Sequence, residues 1–563
     1  MNAVFKPKLF TLIKHGIHGR DLLSDLMAGV VVGIIALPLA IAFAVASGVS
    51  PEKGIVTAII AGFIIAALGG SRVQIGGPTG AFIVIVCGVI ENYGMDGLII
   101  STILAGLILI AFGLCRMGTL LKYIPDPLVI GFTSGIALVI FTTQIKDALG
   151  LEIPSMSGSF VGKWALCFEN LDTINPTAAL LTLLTILLVV FSKQVTSKIP
   201  GSFIAILAVT AIVYGLKLPV TTIGSFFGEI HGGFEFALPN VELGELGHYL
   251  RPAMTIAILG AIESLLSAVV ADGMIGGNHR SNTELIAQGV ANTVVPFFGG
   301  IPATGAIART AANIKNGGKT PISGMVHALT LLVIMLFFGS FAKLIPMCCL
   351  AGILIVVAYN MSEWRLFYLS CKGSASDVMV LLAAFSLTVF VDLAVAIEVG
   401  IVLSALLFMK RMSDIGHKIP AEVDEDLLEN YSGIPPEISI YEIQGPLFFA
   451  SAKRYAERIK EAGLKTHCLV IRMRHVPFVD STGLKNLKGT VQLLNAYGVR
   501  VILSGVNRSV ARDLRKSGIV KIVRSQNVFE SFYDSIHYAQ DLLRLEGPAE
   551  SPLPCAEASL GLS

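Results

Sequence analysis

Charged residues are scarce in this sequence. Only 14% of its 563 residues are Asp, Glu, Lys or Arg, whereas 54% are hydrophobic and the mean hydropathy is +0.76. Soluble domains carry roughly 25% charged residues, so most of this chain is expected to lie in a lipid bilayer. The formal net charge of +2 argues neither for nor against nucleic acid, and no nucleic-acid partner is expected.

Clusters of residues that could carry out catalysis or bind a metal are also lacking. The eight Cys residues are scattered, apart from the pair Cys348 and Cys349, and no spacing suits a zinc site or a disulfide framework. Residues 317–320 (GGKT) end like a phosphate-binding P-loop, but that motif needs a glycine where Asn313 stands. No Ser/His/Asp grouping stands out. We therefore expect neither an enzyme nor an ATP-driven pump, and no metal or cofactor.

Long apolar runs are what the sequence does contain. Stretches able to span ~30 Å of hydrocarbon recur from about residue 22 to residue 410. Two further segments, about 79–90 and 305–314, are too short to cross alone, and each follows a Gly/Pro-rich turn. If each short segment counts as one crossing, all the Lys and Arg clusters fall on the same side of the membrane. Cytoplasmic loops are rich in Lys and Arg, so that side is expected to be the cytoplasm. Both ends of the membrane region are therefore expected to be cytoplasmic.

The two short segments are each third in a set of about seven. The first set covers about residues 21–215 and the second about 252–411. Because seven is odd, the second set must enter the membrane from the opposite side, which makes an inverted repeat. Matching Gly/Pro-interrupted segments in such repeats indicate a transport site. The predicted fold is a polytopic α-helical membrane protein with about fourteen segments, a seven-plus-seven inverted repeat with two half-helices.

Polar sequence flanks this membrane region. Residues 1–20 are expected to form a cytoplasmic N-terminal segment, followed by a transport domain at 21–411 and a linker at 412–435. In residues 436–545, strand-like and helix-like stretches alternate, which predicts a compact α/β domain. The Pro-containing tail, residues 546–563, is expected to be disordered.

The starts of the two half-helices are the candidate anion site. Extended backbone is tolerated at membrane depth only where protein buries it or a cavity hydrates it. A half-helix that starts there points unpaired N–H groups and the positive end of its dipole into the protein. Pro78 can begin such a helix because its missing N–H would be unpaired anyway. Two facing starts can hold an anion without a formal charge; ordinary glycine packing is the alternative.

Two ionisable residues lie within the apolar segments. Arg309 lies about one turn into the second half-helix and would add positive charge there, unless it reaches the cytoplasmic surface. Glu263 lies mid-span and must be paired or protonated, because a low dielectric disfavours its charged form. We expect Glu263 to carry a coupling proton, or to bind sodium together with Ser267; an ion pair with Arg309 is the alternative. Asp272 is expected to be structural.

Several stretches resemble the SulP family of sulfate permeases. They are 25–51, which contains the run ALPLA, then 76–79 (GGPT), 131–135 (GFTSG) and 299–313. Residues 480–483 (DSTG) resemble the central motif of STAS domains, which this family carries C-terminally. The resemblance covers about residues 20–545. Shorter runs are similar to those of bacterial dicarboxylic acid transporters within the family, namely 262–266 (IESLL), 360–363 (NMSE) and 445–449 (GPLFF).

The resemblance implies a mobile core domain, a gate domain, an elevator-like movement and a homodimer. It places the substrate between the third and tenth segments, near Thr79, Gly80, Phe82, Gly305, Ala306 and Arg309. This sequence departs from the family pattern at Leu39, where many members have Gln. Sodium-coupled bicarbonate members have Asp and Thr at the positions of Glu263 and Ile307, which favours the proton over sodium here.

The sequence thus predicts a secondary active transporter of small anions of the sulfate, bicarbonate or C4-dicarboxylate class, driven by proton symport. The expected location is a bacterial inner membrane. Two alternatives remain open. One is a sodium-coupled bicarbonate symporter, and the other is a membrane-anchored anion sensor that signals through its STAS domain.

The predicted STAS domain contains two candidate regulatory residues. Ser481 and Thr482 lie at the start of a predicted helix, where unpaired N–H groups favour a nearby anion. In related STAS proteins of sporulating bacteria, the hydroxyl residue just before the motif glycine is phosphorylated, and that position corresponds to Thr482. The alternative is that Ser481 or Thr482 simply caps the helix, a contribution of roughly 1 kcal/mol.

Overall fold

In the computed structural model the chain forms two compact units, Met1–Ser404 and Ala405–Ser563. The structure describes residues 6–16, 18–119, 125–153, 156, 158–195, 200–228, 233–234, 236, 246–418 and 434–546. Most of the predicted linker and the predicted disordered tail beyond residue 546 lie outside the described residues.

The first unit consists of helices. Its sequence contains long apolar stretches, and in lipid such stretches must form helices because every backbone N–H and C=O then finds a hydrogen-bond partner within the segment. In chain order they are α1 (Lys8–His15), α2 (Gly19–Ala46), α3 (Pro51–Leu68), α4 (Ile83–Leu114), α5 (Asp126–Leu149), α6 (Phe160–Glu169), α7 (Pro176–Val195), α8 (Gly201–Leu216), α9 (Ile223–Phe227), α10 (Leu246–Ile275), α11 (Ser281–Val294), α12 (Ile307–Lys315), α13 (Ile322–Phe338), α14 (Met347–Met361), α15 (Trp364–Ser370), α16 (Ala375–Phe390) and α17 (Leu393–Lys418).

The predicted membrane-spanning segments are present as helices. Among the described residues, seven helical segments are long and apolar enough to cross a membrane, and four shorter apolar helices accompany them. The segment Gly80–Leu114 is broken at Gly94, whose φ of 68° and ψ of −171° are not helical, so it supplies two of the predicted segments. With the short helices α11 and α12, these elements account for the fourteen predicted segments. The chain is a multi-pass membrane protein.

The helix–helix contacts of the first repeat recur between the equivalent helices of the second repeat, as expected of an inverted repeat. Helix α2 packs against α13, and α10, its counterpart in the second repeat, packs against α4. In the same way α3 packs against α13 and α11 against α4, while α5 packs against α16 and α14 against α7. These pairings divide the membrane part into two bundles. We call α2, α3, α4 and α10–α13 the core bundle, and α5, α7, α8, α14 and α16 the gate bundle.

Glycines let helices of one bundle touch backbone to backbone. A Cβ atom at Gly54 would lie 2.1 Å from the carbonyl oxygen of Ala40, and one at Gly131 would lie 2.6 Å from that of Leu381. Helices α2 and α3 in the core bundle, and α5 and α16 in the gate bundle, are therefore in close contact. Small residues at such contacts are typical of membrane helices, because packing rather than hydrophobicity holds helices together in lipid.

The second unit contains a parallel four-stranded sheet in the order β3 (Ile438–Gln444), β4 (Cys468–His475), β5 (Arg500–Ser504) and β6 (Val528–Phe529). Its helices are α18 (Phe449–Gly463), α19 (Ser481–Ala496), α20 (Arg508–Lys516), α21 (Ile519–Val523) and α22 (Phe532–Glu546). Along β4, Leu469 and Ile471 belong to one apolar core, whereas Cys468 and Val470 belong to the other. Both faces of the sheet are therefore covered, and the predicted α/β domain is confirmed.

Candidate functional site

The extended segments before the two half-helices pair with each other. Strand β1 (Gly76–Gly77) runs antiparallel to β2 (Thr304–Gly305), with Gly76 opposite Gly305. Just beyond the pair, the N–H of Ala306 donates to the carbonyl of Ile75 at 2.8 Å. A Cβ atom at Gly305 would lie 1.7 Å from Nε2 of Gln74, so only glycine fits there. Antiparallel pairing of equivalent elements brings the starts of both half-helices together in the core bundle.

Helix α10 fixes this crossing from one side. Ser264 Oγ lies 2.7 Å from Thr304 Oγ1 and accepts a hydrogen bond from the N–H of Gly305 at 3.1 Å. Thr304 Oγ1 also donates to the carbonyl of Gly260 at 3.0 Å. From the other strand, Gln74 Nε2 donates to the carbonyl of Ser264 at 3.2 Å. The carbonyls and hydroxyls of one turn of α10 therefore position both crossing strands.

Ser267, predicted as a coupling residue, is another α10 residue that helps to hold the crossing strands in place. Its Oγ lies 3.2 Å from Oγ1 of Thr310, which in turn accepts the N–H of Ile75 at 3.0 Å. In the described part of the chain no hydrogen bond joins Ser267 to Glu263. Thr310 thus ties α12 to both α10 and the first crossing strand. Sequence reasoning missed Thr310. The feature that could have identified it is a hydroxyl side chain in a short helix at membrane depth.

The first half-helix starts after Pro78 rather than at it. Thr79 is extended, a 3₁₀ turn covers Gly80–Phe82, and α4 follows. Within the described residues Thr79 Oγ1 is buried without a hydrogen-bond partner. Phe82 is buried, with its ring 3.5 Å from the Cβ position of Gly260. Thr79 and Gly80 therefore form the start of the first half-helix, while Phe82 packs the turn onto α10.

Arg309 is buried beneath that start. It is the third residue of α12, and only 2% of its surface is exposed, so it does not reach the cytoplasmic surface. Nη2 donates to the carbonyl of Pro78, and Nη1 lies 2.7 Å from the Cβ position of Gly77. Nη1 has no hydrogen-bond partner, and Arg309 forms no ion pair within the part of the chain that the structure describes. Among the described residues the guanidinium is therefore a positive charge without a counter-charge.

Glu263 is not paired with Arg309 among the described residues. It is 9% exposed on α10 and forms no salt bridge among the described residues, so the alternative of an ion pair with Arg309 is absent. Another carboxylate, Glu363, lies two residues after α14, outside the core bundle. Glu363 has a φ of 41° and a ψ of 38°, a left-handed conformation that is costly for a residue with a Cβ atom. Sequence reasoning did not identify Glu363.

The start of the first half-helix contacts the gate bundle. The Cβ position of Gly80, in the core bundle, is 2.9 Å from Sδ of Met361 at the end of α14 and 3.4 Å from the ring of Phe43. Ala306 is buried, but Ile307, at the first position of α12, is 37% exposed. The start of the first half-helix therefore lies against Met361 at the end of α14.

Asp272, expected to be structural, joins the ends of α10 and α11. Its carboxylate lies 2.6 Å from Nδ1 of His279 and accepts the N–H of His279 at 2.7 Å. His279 Nε2 lies 2.9 Å from Oγ of Ser281. No Ser/His/Asp grouping stood out in the sequence, and the fold brings these three residues together. The buried Ser281 hydroxyl begins α11, and the three residues fasten the turn between the helices.

The STAS helix α19 is capped by neither Ser481 nor Thr482. Asp480 is the N-cap residue, and its carboxylate accepts the N–H of Gly483 at 2.7 Å and that of Phe449 at 2.9 Å. The alternative that a hydroxyl residue of this motif caps the helix was wrong, because the preceding carboxylate already takes that position. Ser481 is exposed and Thr482 is half-buried.

Comparison with known proteins identifies the relatives of this architecture. Residues 22–384 match the sequence model of the sulfate permease family, and residues 432–539 match that of the STAS domain. YvdB of Bacillus subtilis, provisionally named a sulfate transporter, is 39% identical over 488 residues, covering 86% of this chain and 91% of that protein. The bicarbonate transporter BicA of Synechocystis is 30% identical over 567 residues, covering 96% of this chain and 97% of that protein.

Solved structures of related transporters have the same fold as this chain. The transmembrane domain of a cyanobacterial BicA superposes with a TM-score of 0.61 at 32% identity, covering 68% of this chain and 98% of that one. The murine anion transporter Slc26a9 in its inward-facing state superposes with a TM-score of 0.85, covering 95% of this chain and 94% of that one. At 22% identity the second likeness concerns the fold alone. The chain therefore belongs to the sulfate permease family and carries a STAS domain after its membrane part.

Proposed function

We propose that this protein is a secondary active transporter that binds small anions where the two half-helices start. The observation that carries the proposal is Arg309, a buried guanidinium beside two helix starts that has no counter-charge in the part of the chain the structure describes. Such a charge is costly unless a ligand neutralises it, and helix N-termini favour anions. Thr79, Gly80, Phe82, Gly305, Ala306 and Arg309 are the proposed substrate-binding residues. The names of YvdB and BicA support sulfate or bicarbonate as the class, and C4-dicarboxylates remain candidates.

Proton symport is the proposed coupling, with Glu263 as the carrier. Its carboxylate is 9% exposed in the core bundle and forms no salt bridge among the described residues. A proton that neutralises Glu263 would therefore make the same space more favourable for an anion. Sodium is less well supported because Ile307 supplies no oxygen and Ser267 Oγ is engaged with Thr310. The sodium–bicarbonate alternative nevertheless stands until coupling is measured.

An elevator-like movement of the core bundle against the gate bundle is the proposed transport step. The crossing strands, Arg309 and Glu263 all belong to the core bundle, so they can move as one body. Contacts such as Gly80 with Met361 would then exchange during the cycle. We further propose a homodimer in a bacterial inner membrane, with both termini cytoplasmic. A membrane-anchored sensor remains the alternative of another class.

Exchange in proteoliposomes tests the function. Vesicles that contain the purified full-length protein are preloaded with unlabelled sulfate, bicarbonate or fumarate, and uptake of the labelled anion is measured without any gradient. We expect the protein to exchange at least one of these anions and empty vesicles to exchange none. Binding without exchange of any of them would contradict the transporter proposal and favour the sensor.

We propose a regulatory role for Ser481 and Thr482, since Asp480 already caps α19. Thr482→Asp mimics a phosphate and should change the anion exchange rate several-fold while leaving the STAS domain folded. Thr482→Ala is the matched control and should leave the basal rate unchanged. An unaltered exchange rate in Thr482→Asp would contradict the regulatory proposal.

The capping assignment has its own test. Asp480→Ala should destabilise the STAS domain by about 1 kcal/mol or more, because it removes an N-cap and a second hydrogen bond. Hydrogen exchange of the full-length protein should then show faster exchange at the amides of Phe449 and Gly483. Ser481→Ala should have little effect on those amides. Equal acceleration in both variants would contradict Asp480 as the cap.

A further inference from the structure

Helix α1 precedes the first membrane-spanning helix by a short connection. It ends at His15, and α2, which is long and apolar enough to cross a membrane, begins at Gly19. The eight residues of α1 rise only about 12 Å, too little to cross ~30 Å of hydrocarbon. A helix joined so closely to the start of a membrane span lies near the level at which that span enters the lipid.

Hydrogen bonds attach one face of α1 to the core bundle. The N–H of Lys8 donates to the carbonyl of Gly69, the residue after α3, at 3.0 Å. Arg280, the residue before α11, reaches α1 with its side chain. Its Nη1 donates to the carbonyl of Lys6 and, at 2.9 Å, to Oγ1 of Thr11. Helix α1 is therefore bonded to the end of α3 and to the start of α11.

The junction that receives α1 is a buried, hydrogen-bonded part of the core bundle. The N–H of Arg280 donates to the carbonyl of Gly70 at 3.0 Å. The fully buried carboxylate of Glu284 accepts the N–H groups of Gly70 and Ser71 at 2.8 and 3.2 Å. Its other oxygen accepts a hydrogen bond from Nε2 of Gln288 at 3.0 Å. Because α1 is bonded to this junction, it follows this end of the core bundle when the bundle moves.

The opposite face of α1 carries exposed apolar side chains. Phe10 and Ile13 are three residues apart and therefore lie on the same side of the helix. They are 53% and 57% exposed. Along the chain, exposed apolar side chains continue at the start of α2 with Leu22, Leu23 and Met27. Since α2 crosses the membrane, these side chains contact lipid, and lipid is the environment that suits Phe10 and Ile13.

The charges of this segment have one sign. Residues 1–20 contain Lys6, Lys8, Lys14 and Arg20 but neither Asp nor Glu. Lys14 is exposed and directly follows Ile13. A basic residue near an anionic membrane surface contributes about 1 kcal/mol of attraction, and a long Lys side chain can keep its ammonium group at the head groups. Exposed Phe and Ile beside Lys are typical of a helix that lies in the membrane interface.

We propose that α1 is a membrane-surface anchor of the core bundle and that its partner is the anionic phospholipid of the adjacent leaflet. Phe10 and Ile13 enter the boundary between head groups and acyl chains, and the lysines lie at the phosphates. Through its bonds to Gly69 and Arg280, the anchor sets the depth of that end of the core bundle in the lipid. The inference requires that α2 spans a membrane, and it stands whether or not the chain transports anions.

Quenching of a single tryptophan by lipid tests the anchor. Replacing Trp164 and Trp364 by Phe gives a full-length parent without tryptophan, and Phe10→Trp then adds a reporter on α1. The protein is reconstituted in phosphatidylglycerol vesicles with or without bromine on the acyl chains near the head groups. We expect bromine to lower the emission of the reporter by roughly twofold or more, because an interfacial helix lies about 5–10 Å into the boundary between head groups and acyl chains.

Two matched reporters calibrate this measurement in the same parent. Met27→Trp lies on the exposed side of membrane-spanning α2 and should also be quenched by brominated lipid. Tyr497→Trp replaces an exposed aromatic residue of the STAS domain and should be quenched by iodide in solution instead. If the parent without tryptophan does not fold, Phe10→Trp is measured in the chain that keeps both native tryptophans, and the emission of that chain without the reporter is subtracted.

Charge reversal tests whether anionic lipid is the partner. Lys6→Glu combined with Lys14→Glu should reduce the quenching of the reporter roughly twofold or more, because each basic residue contributes about 1 kcal/mol of attraction to an anionic surface. Lys516→Glu combined with Lys521→Glu changes the net charge equally at two exposed positions of the STAS domain. This control should leave the quenching unchanged.

Each outcome supports or overturns the proposal. Quenching of the Phe10→Trp reporter by brominated lipid, weakened by charge reversal on α1 alone, supports it. A reporter that responds to iodide and not to brominated lipid lies in solvent, and α1 is then no anchor. A reporter protected from both quenchers is covered by protein, either the STAS domain or a second copy, which also overturns the proposal. Lipid quenching that ignores charge reversal on α1 would exclude anionic phospholipid as the partner.

Discussion

Replacing Arg309 by Met should lower anion uptake by about 100-fold or more, since removing one partner of a buried charge contact costs ~2–5 kcal/mol. The guanidinium supplies the positive charge beneath the first half-helix start, and Met keeps most of its volume. Arg309→Ala should be at least as damaging, but it also empties a packed position, because Arg309 is among the largest fully buried side chains. Initial rates of labelled anion exchange in proteoliposomes measure the effect.

Two control variants separate the effect of losing the Arg309 charge from the effect of disturbing the packing around it. Arg309→Lys keeps the charge without the fork geometry and should retain part of the exchange activity. Arg251→Met removes an Arg that is 61% exposed and paired with Glu398 at 3.8 Å, and it should exchange anions at the wild-type rate. Wild-type kinetics in Arg309→Met, in a preparation that elutes and melts like the parent, would remove Arg309 from the anion site.

Replacing Glu263 by Gln should abolish uphill accumulation driven by a proton gradient while leaving exchange intact. Gln mimics a carboxyl that never releases its proton, so the variant can bind and exchange the anion but cannot couple it to proton movement. The measurement compares accumulation and exchange of the same labelled anion in the same proteoliposomes. Loss of both activities would show that Glu263 serves binding or folding rather than coupling.

Glu363→Gln provides the comparison across the bundle interface. Glu363 lies outside the core bundle, two residues after α14, so we expect removal of its charge to shift the pH dependence of accumulation while coupling persists. Accumulation by Glu263→Gln that still follows an imposed proton gradient would exclude Glu263 as the carrier. Wild-type accumulation that follows a sodium gradient and ignores pH would favour the sodium alternative.

The fold was predictable because the sequence features that indicate it recur along the whole membrane region. Apolar run lengths, basic loops and the matched Gly/Pro turns near Pro78 and Pro302 predicted the segments and their inverted relation. The same reasoning located Arg309, because an arginine in an apolar segment is conspicuous. These signals are properties of the chain itself and need no knowledge of which helices pack together.

What the sequence could not predict depends on that packing. Thr310, Ser264 and Gln74 are ordinary residues until the crossing strands bring them together. Glu363 lies outside both half-helices, and its left-handed backbone is what distinguishes it in the structure. The cap of α19 was misassigned because Asp480, Ser481 and Thr482 are all good N-cap residues, and only the position at which the helix begins decides among them.

The most direct test of the central claim is the location of a bound anion in an experimental structure. The full-length protein would be prepared with a heavy analogue of an anion that it exchanges, selenate for sulfate or bromofumarate for fumarate. The account predicts a heavy-atom peak between the half-helix starts, beside Thr79 and the N-terminus of α12 and within reach of Arg309, and no such peak in Arg309→Met. A peak at another position, with the space between the half-helix starts empty, would contradict the account.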